Sequence, residues 1–201
     1  VTLPPAVLAI LKDEHFPDLK TVISAGESCP PELARHWSEN RRFLNAYGPT
    51  ENTVCASRFF YTHDSTGSGV PIGTPMDNVR LYVLDRHLNT VPAGIPGELF
   101  ISGAGVARGY LNRPGLTAER FLPDPYSPVP GARMYRSGDL VRYLADSNLE
   151  FLGRIDQQVK IRGYRIEPGE IEERINADPS VSRSVVMPRS TGVCTTNLDF
   201  F

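Results

Sequence analysis

The chemically richest stretch of this sequence is a loop near its start, Asn45 to Glu51, which reads NAYGPTE. It follows a short apolar run and breaks at Gly-Pro, so Thr50 and Glu51 are presented on a loop. A threonine hydroxyl can hydrogen-bond a phosphate oxygen, a glutamate can hold magnesium through one carboxylate, and a tyrosine ring offers a flat face to a base. The combination suits a nucleotide, although from local chemistry alone a β-turn with a polar tip is the more common explanation.

Three later segments carry charged or glycine-rich patterns. In YRSGDL, Asp139 precedes an apolar strand, where its carboxylate could accept hydrogen bonds from two ribose hydroxyls or could simply cap a turn. The glycine-dense run from Gly97 to Tyr110 has a GxG but lacks the third glycine, and the chain has no GxxxxGK[ST], so tight turns between strands explain it better than a phosphate loop. The segment from Gly153 to Glu172 alternates basic and apolar residues, as a solvated edge strand also would.

The elements around these segments predict an α/β fold. A strand over Leu19 to Ser24, a helix over Glu32 to Trp37 after two prolines, and a strand over Phe43 to Ala46 open the chain. Short strands then follow between Gly69 and Leu152, with a hairpin turn at Asp146-Ser147-Asn148. The remaining predictions are strands over Val79 to Leu84, Glu98 to Ile101, Leu140 to Leu144 and Leu149 to Leu152, and a short helix capped by Thr117.

A small α+β lobe is predicted to begin near Asp156. Its expected elements are a strand over Gln158 to Ile161, a helix from Pro168 to Ala177 and a strand over Val181 to Met187.

Composition excludes several classes of protein. The 201 residues are 40% hydrophobic and 22% charged with a net charge of -2, which disfavours a nucleic-acid partner. There is neither an apolar run near the roughly 20 residues of a membrane span nor a signal-peptide pattern, so no membrane partner and a cytoplasmic location are expected. Three cysteines without CxxC spacing (Cys29, Cys55 and Cys194) and four scattered histidines favour reduced thiols and no zinc site.

Taken together, four motifs resemble one family in both sequence and order: NAYGPTE, GELFISGAGVARGYLNRP, YRSGDL and GRIDQQVKIRGYRIEPGEIE. They are similar to those of adenylate-forming enzymes, and within that superfamily to the amino-acid adenylation domains of nonribosomal peptide synthetases. The resemblance runs from Val1 to about Pro188. It implies that residues 1–155 are the C-terminal part of the large adenylate-forming core, an α/β layer plus a small β-barrel-like subdomain. Residues 156–201 would begin the small mobile subdomain.

The resemblance also implies an activity. Such domains use ATP and Mg²⁺ to convert an amino acid to an aminoacyl adenylate and pyrophosphate, and then transfer the acyl group to the phosphopantetheine thiol of a carrier domain. The expected partners are therefore an amino-acid substrate, a peptidyl carrier domain and the other domains of a synthetase.

The site residues implied by the motif match fall into two groups. On the nucleotide side, Thr50 would meet phosphate, Glu51 would bind magnesium, and Asp156 would be the hinge of the small lobe, with the strand from Lys160 to Arg165 facing the site during thioester formation. The adenine and ribose positions would be Gly26, Glu27, Asn45, Ala46, Tyr47, Gly48, Asp139 and Arg154.

The second group lines the amino-acid pocket in the family. Its members are small or apolar, which implies a deep cavity for a large apolar side chain such as that of phenylalanine or tyrosine. They are Thr2, Ile23, Ala25, Ala46, Val54 and Cys55.

The sequence also departs from the family pattern. It contains neither the Gly/Ser/Thr-rich ATP loop with its lysine, nor the aspartate that grips the substrate amino group, nor the C-terminal catalytic lysine, and Ser190 to Phe201 is unlike the family. We therefore expect this chain to be inactive by itself. Two alternatives remain open: an acyl-CoA ligase of the same superfamily, and a truncated product that acts only by binding.

Overall fold

A mixed sheet of five strands forms the first part of the molecule, whose computed structural model describes residues 1–62, 65, 69–161, 164–192 and 195–200. The first three strands are parallel and the last two run antiparallel to their neighbours. The expected mixed α/β class is thereby confirmed. In sheet order the strands are β1 (Thr2–Leu3), β2 (Thr21–Ala25), β3 (Arg42–Tyr47), β4 (Ser57–Tyr61) and β5 (Thr74–Pro75).

Two short helices cover one face of this sheet: α1 (Pro5–Ile10) and α2 (Pro31–Ser38). Each has proline in its first turn, where the missing N–H would have no intrahelical acceptor. The indole of Trp37 is buried and donates to the Leu8 carbonyl at 3.2 Å, which ties α2 to α1. The core under the helices contains Leu8, Val22, Leu33, Ala34, Trp37 and Phe43.

An antiparallel sheet follows in the order β10-β9-β7-β6, with β8 paired to β9. The hairpin predicted at Asp146 to Asn148 joins β9 to β10, with Ser147 in the left-handed region. The strands are β6 (Val79–Leu84), β7 (Gly97–Gly103), β8 (Phe121–Pro123), β9 (Arg133–Tyr143) and β10 (Leu149–Arg154), and α3 (Pro114–Arg120) precedes β8.

The two sheets share one core and one backbone junction. Tyr47 and Ala56 of the first sheet region pack in a cluster with Leu81, Leu99 and other side chains of the second. At the junction, the Leu149 N–H donates to the Gly73 carbonyl at 2.9 Å. Gly73 has a φ of +82°, and a Cβ there would lie 1.9 Å from the Arg58 carbonyl oxygen, so only glycine fits this close approach.

The C-terminal part contains two hairpins and a helix. The first hairpin consists of β11 (Val159–Ile161) and β12 (Tyr164–Ile166), and the second of β13 (Val186–Gly192) and β14 (Thr195–Phe200). Between them lies α4 (Pro168–Asn176), whose Glu172 carboxylate accepts from the Val186 N–H at 2.8 Å. His63 and Cys194 lie outside the described residues.

Three local predictions are wrong. Thr117 lies inside α3 rather than at its cap, and its hydroxyl donates to the Arg113 carbonyl at 2.8 Å. The strand expected from Val181 starts only at Val186, because Asp178 to Val181 forms a turn. The strand expected from Leu140 is the end of the much longer β9, which includes YRSGDL. The strand can continue through this segment because Gly138 adopts a φ of +75° at a local irregularity.

Candidate functional site

A cavity of about 690 Å³ opens where the first sheet, β9, β10 and the β11–β12 hairpin meet. Its size falls in the usual range for a small-molecule site. It collects segments that are more than a hundred residues apart in the sequence. Eight of the predicted nucleotide-side residues line it: Gly26, Glu27, Asn45, Ala46, Tyr47, Gly48, Asp139 and Arg154.

One wall of the cavity comes from the carboxyl ends of β2 and β3. These strands are parallel neighbours, so the turn at Gly26-Glu27 and the residues Asn45 to Gly48 emerge at the same edge of the sheet. Gly26 has a φ of +94°, a conformation that glycine adopts without strain. The Asn45 side chain is buried and donates to the Pro71 carbonyl at 2.8 Å, which fixes the end of β3.

The opposite wall carries the Asp139 carboxylate, which is only 5% exposed. The Tyr47 hydroxyl donates to its Oδ2, and Arg154 Nη1 donates to its Oδ1 at 2.8 Å. Burial, followed by the charge of Asp139, raises the pKa of Tyr47 well above its usual value, so the phenol remains a proton donor. Asp139 and Arg154 are direct cross-strand partners in the β9–β10 ladder, so the sheet register itself sets this ion pair.

Arg154 continues the network to Asp156. Its Nε donates to Oδ1 at 2.8 Å and its Nη2 to Oδ2 at 2.5 Å, a bidentate arrangement. Burial raises the pKa of Asp156, but the hydrogen bonds and charge of Arg154 outweigh it, and the net pKa lies below the usual value. A Cβ at Gly138 would lie 2.9 Å from Arg154 Nη2, so glycine leaves room for the guanidinium. The expected hinge residue is thus tied to the cavity wall.

A second buried carboxylate, Glu51, lies outside the residues that line the cavity, in a short 3₁₀ turn from Thr50 to Asn52. Tyr110 donates its hydroxyl to Glu51 Oε1 at 2.7 Å, and Arg165 Nη1 donates to both carboxylate oxygens at 2.8 and 2.9 Å. Burial raises the pKa of Glu51, yet these two partners together bring it below the usual value. Thr50, in contrast, is exposed at the start of the turn.

The β11–β12 hairpin lies against both carboxylate sites. Lys160 of β11 lines the cavity, with its Nζ 5.9 Å from the centre of the Tyr47 ring, a distance at which an ammonium is attracted to the aromatic face. Arg165 of β12 reaches Glu51. Residues 162–163 of the predicted mobile strand lie outside the described part of the chain.

The six residues predicted for the amino-acid pocket are only partly brought together. Thr2 and Ile23 are register partners, as are Ala25 and Ala46, so these four lie on one face of three adjacent strands. Of them, Ala46 lines the cavity. The remaining pair is on the loop before β4, where Val54 is 71% exposed and Cys55 is partly buried.

Sequence reasoning did not pair Glu51 with Tyr110 or Arg165. Tyr110 belongs to the glycine-dense run that was attributed to tight turns, and Arg165 was predicted only to lie on a strand that faces the site. Glu98 was missed as well: its carboxylate accepts from the Gly138 N–H at 3.2 Å and pairs with Arg136 at 3.0 Å, which anchors the turn before Asp139. Nothing in the local sequence separates these residues from ordinary turn and strand positions.

The Glu51 carboxylate fits a magnesium ion whose other ligands are mainly phosphate oxygens of a bound nucleotide. Within the described ranges, no cluster of three or more His, Cys, Asp or Glu side chains could hold a metal. Mg²⁺ is commonly bound by one or two carboxylates together with phosphate oxygens and water, so a single glutamate is enough to contribute to such a site.

Comparison with known proteins identifies the family. The family model described as AMP-binding enzyme matches residues 1–111. The chain belongs to this AMP-binding enzyme family. Bacitracin synthase 3 of Bacillus licheniformis is 53% identical over 189 residues, which are 94% of this chain and 3% of that protein.

Two solved structures show the same fold. PA1221, a nonribosomal peptide synthetase (NRPS) protein containing adenylation and peptidyl carrier (PCP) domains, superposes with a TM-score of 0.87 at 28% identity, over 99% of this chain and 41% of that one. The Vibrio cholerae adenylation domain AlmE, solved in complex with glycyl-adenosine-5'-phosphate, gives 0.85 at 28% identity over 98% and 40%. Over almost its whole length, the chain is therefore similar to adenylation domains of nonribosomal peptide synthetases.

The chain spans only part of the length of these proteins: 3% of bacitracin synthase 3 and 41% of PA1221. Over the part of the chain that the structure describes, each helix is too short or too polar to cross a bilayer.

Proposed function

We propose that this chain supplies the nucleotide-facing part of a site that activates an amino acid with ATP and then passes it to a carrier-domain phosphopantetheine thiol. One observation carries the proposal. Eight residues of the adenylation motifs, from segments as distant as Gly26 and Arg154, line a single cavity of about 690 Å³. A flat aromatic face suits a base, and a buried carboxylate can accept hydrogen bonds from ribose hydroxyls.

In the first half-reaction, a carboxylate oxygen of the amino acid attacks the α-phosphorus of ATP. The bond from that phosphorus to the bridging oxygen breaks, and pyrophosphate leaves with the bonding electrons. In the second, the carrier thiolate attacks the acyl carbon and AMP departs, which leaves a thioester. Neither step needs a protein nucleophile, so the protein contributes positioning and charge stabilisation.

The roles we propose for individual residues are those that the resemblance to adenylation domains implies. Tyr47 would present its ring to adenine, and Asp139 would exchange its hydroxyl donor for those of ribose while Arg154 holds its other oxygen. Thr50 would meet phosphate, and Glu51 would hold Mg²⁺, which neutralises phosphate charge when bound.

We further propose that residues 1–155 belong to the large core and 156–201 to a small lobe that turns about Asp156. The two-point clamp of Asp156 by Arg154 supports a pivot at this position, because it fixes the last residues of the core against the cavity.

The substrate we propose is a large apolar amino acid, phenylalanine or tyrosine. Thr2, Ile23, Ala25 and Ala46 support it, because these small or apolar residues share one sheet face beside the cavity. Val54 and Cys55 would complete the pocket. The 201 residues alone should not turn over, because they lack the family's ATP loop and catalytic lysine.

The test is amino-acid-dependent exchange of labelled pyrophosphate into ATP, measured on the full-length protein that carries this chain. Exchange that peaks with an aromatic amino acid supports both the reaction and the pocket. A peak with another amino acid discards the pocket alone, and activity only with a carboxylic acid and CoA favours an acyl-CoA ligase.

Two matched variants assign the ribose role. Asp139→Ala should raise the KM for ATP about 10- to 100-fold, which corresponds to the loss of a charged hydrogen-bond acceptor. Asp146→Ala, an exposed aspartate in the β9–β10 turn, should leave it unchanged. Equal KM values in the two variants would remove Asp139 from the nucleotide site.

A further inference from the structure

The Glu51 carboxylate is held from two directions, and the two partners are not equivalent. Arg165 comes from the β11–β12 hairpin, which follows Asp156 in the chain, and its side chain is 33% exposed. Tyr110 comes from the loop after β7, on the same side of Asp156 as Glu51. If the hairpin moves, the guanidinium leaves with it, whereas the phenol stays.

The loop that carries Tyr110 is attached directly to the turn that carries Glu51. The Ala107 N–H donates to the Glu51 carbonyl at 2.8 Å, and the Thr53 hydroxyl donates to the Gly105 carbonyl at 2.8 Å. These two bonds fix the backbones on either side of the phenol-to-carboxylate contact. Neither bond involves the hairpin, so the support for the contact between Tyr110 and Glu51 comes from outside it.

Tyr110 is itself fixed at three points. Its N–H donates to the Thr117 hydroxyl at 3.0 Å, its ring packs edge-on against Phe121 at 5.3 Å, and its hydroxyl reaches Glu51 at 2.7 Å. The preceding Gly109 has a φ of +145°, and a Cβ there would lie 2.4 Å from the Thr117 methyl group. Only glycine lets the loop approach α3 closely enough to aim the phenol at the carboxylate.

The phenol also suits the role chemically. A tyrosine hydroxyl is a neutral donor, so it orients Oε1 without supplying a competing positive charge. The Tyr135 hydroxyl lies 3.5 Å from it and limits its rotation.

We propose that Tyr110 is a positioning residue that holds the Glu51 carboxylate in a fixed orientation for a divalent cation once Arg165 has withdrawn. This rests on the proposed role of Glu51 at the metal. Tyr110 acts through Glu51, because its hydroxyl donates to Oε1. Arg165 and the cation would bind the carboxylate one after the other, and Tyr110 would keep its contact throughout.

The experiment measures how much a metal improves nucleotide binding. The affinity of the full-length protein for a non-hydrolysable ATP analogue is measured by calorimetry with Mn²⁺ and with EDTA, and the ratio of the two dissociation constants is the metal-dependent gain. Tyr110→Phe removes only the hydroxyl and should cut this gain about tenfold, which is the value of one hydrogen bond to a charged group. Binding in EDTA should not change.

Two controls accompany this variant. Tyr143→Phe is matched because it removes a hydroxyl that donates to the Leu81 carbonyl at 2.9 Å in the same β-sheet region. It should leave the gain unaltered. Thr117→Val removes the hydroxyl that accepts from the Tyr110 N–H and does not alter Glu51. It should reduce the gain by a smaller factor than Tyr110→Phe does.

The variant Glu51→Gln distinguishes the proposed metal role of Glu51 from the proposed positioning role of Tyr110. If Glu51→Gln keeps the wild-type gain, the metal role of Glu51 is wrong. If Glu51→Gln loses the gain but Tyr110→Phe keeps it, the metal role stands and positioning by Tyr110 is wrong. A Tyr110→Phe variant that weakens binding equally with Mn²⁺ and EDTA shows a merely structural effect and also overturns the inference.

Discussion

Asp139 and Glu51 are two buried carboxylates with the same kinds of partner. Asp139 is 5% exposed and Glu51 is 7% exposed, and each accepts from one tyrosine hydroxyl and one guanidinium. They differ in where the arginine comes from. Arg154 is the cross-strand partner of Asp139 inside one sheet, whereas Arg165 reaches Glu51 from a hairpin more than a hundred residues along the chain.

If the hairpin moves about Asp156, as proposed, this difference separates a permanent charge pair from a replaceable one. The pair in the sheet forms whenever β9 and β10 pair, so it belongs to the folding of the core. The pair at Glu51 exists only while the hairpin is docked. A carboxylate with a removable cation is a place where a ligand cation can enter, and one with a built-in cation is better suited to neutral hydroxyl donors.

The largest effect is expected when the ion pair between Asp139 and Arg154 is broken. Arg154→Ala leaves Asp139 and Asp156 without their shared guanidinium, and removal of one partner of a buried pair costs about 3 to 5 kcal/mol. The free energy of unfolding, measured by urea titration, should fall by that amount. The matched variant Arg142→Ala breaks a pair with Glu150 in the same β9–β10 ladder, but the Arg142 side chain is 41% exposed, so the loss should stay below about 1 kcal/mol. Equal losses in the two variants would contradict the assignment.

A smaller, local effect is expected at the replaceable pair. Arg165→Ala should increase amide hydrogen exchange in β11 and β12 about tenfold, because one charged hydrogen-bond contact that holds the hairpin is lost. Exchange in β9 and β10 should be unchanged. Arg183→Ala, which removes an exposed charge from the same C-terminal part, is the control and should alter neither region. Faster exchange throughout the protein would show that the Glu51 pair is also part of the core.

The smallest expected effect is a pH dependence. The folded-state pKa of Glu51 is lowered, so its ionised form adds stability above its unfolded pKa near 4.5, and that stability is lost as the pH falls through the folded pKa. The difference in unfolding free energy between wild type and Glu51→Gln should therefore be larger at about pH 7 than at about pH 3. Asp156 also has a lowered pKa but is present in both proteins, so its contribution cancels. A difference that is independent of pH would mean that Glu51 gains nothing from its ionised form.

The sequence was sufficient to predict the elements that are set locally. The strand over Val79–Leu84 has the predicted bounds, and α2 and the hairpin at Ser147 lie where prolines and turn residues indicated. Family motifs also named eight residues that the fold brings to one cavity, although their roles stay predictions.

The remaining features depend on contacts between distant segments. The length of β9 could not be predicted, because it depends on a conformation of Gly138 that is supported by Glu98 from another strand. Tyr110 and Arg165 lie 59 and 114 residues from Glu51, and no local pattern encodes such pairs. The spread of the six pocket residues, of which Val54 is mostly exposed, likewise became visible only in three dimensions.

The junction at Gly73 and Leu149 has a consequence for the exchange of segments between members of this family. The two walls of the cavity are carried by different sheets, and this backbone contact sets how they face each other. A chimera that takes β1 to β4 from one protein and β9 to β10 from another would inherit two walls whose spacing was never matched. A chimera that takes both walls and the intervening residues 73 to 149 from one protein should preserve the cavity. A chimera with a crossover point between the two walls should have a cavity of different width, even when every lining residue is retained.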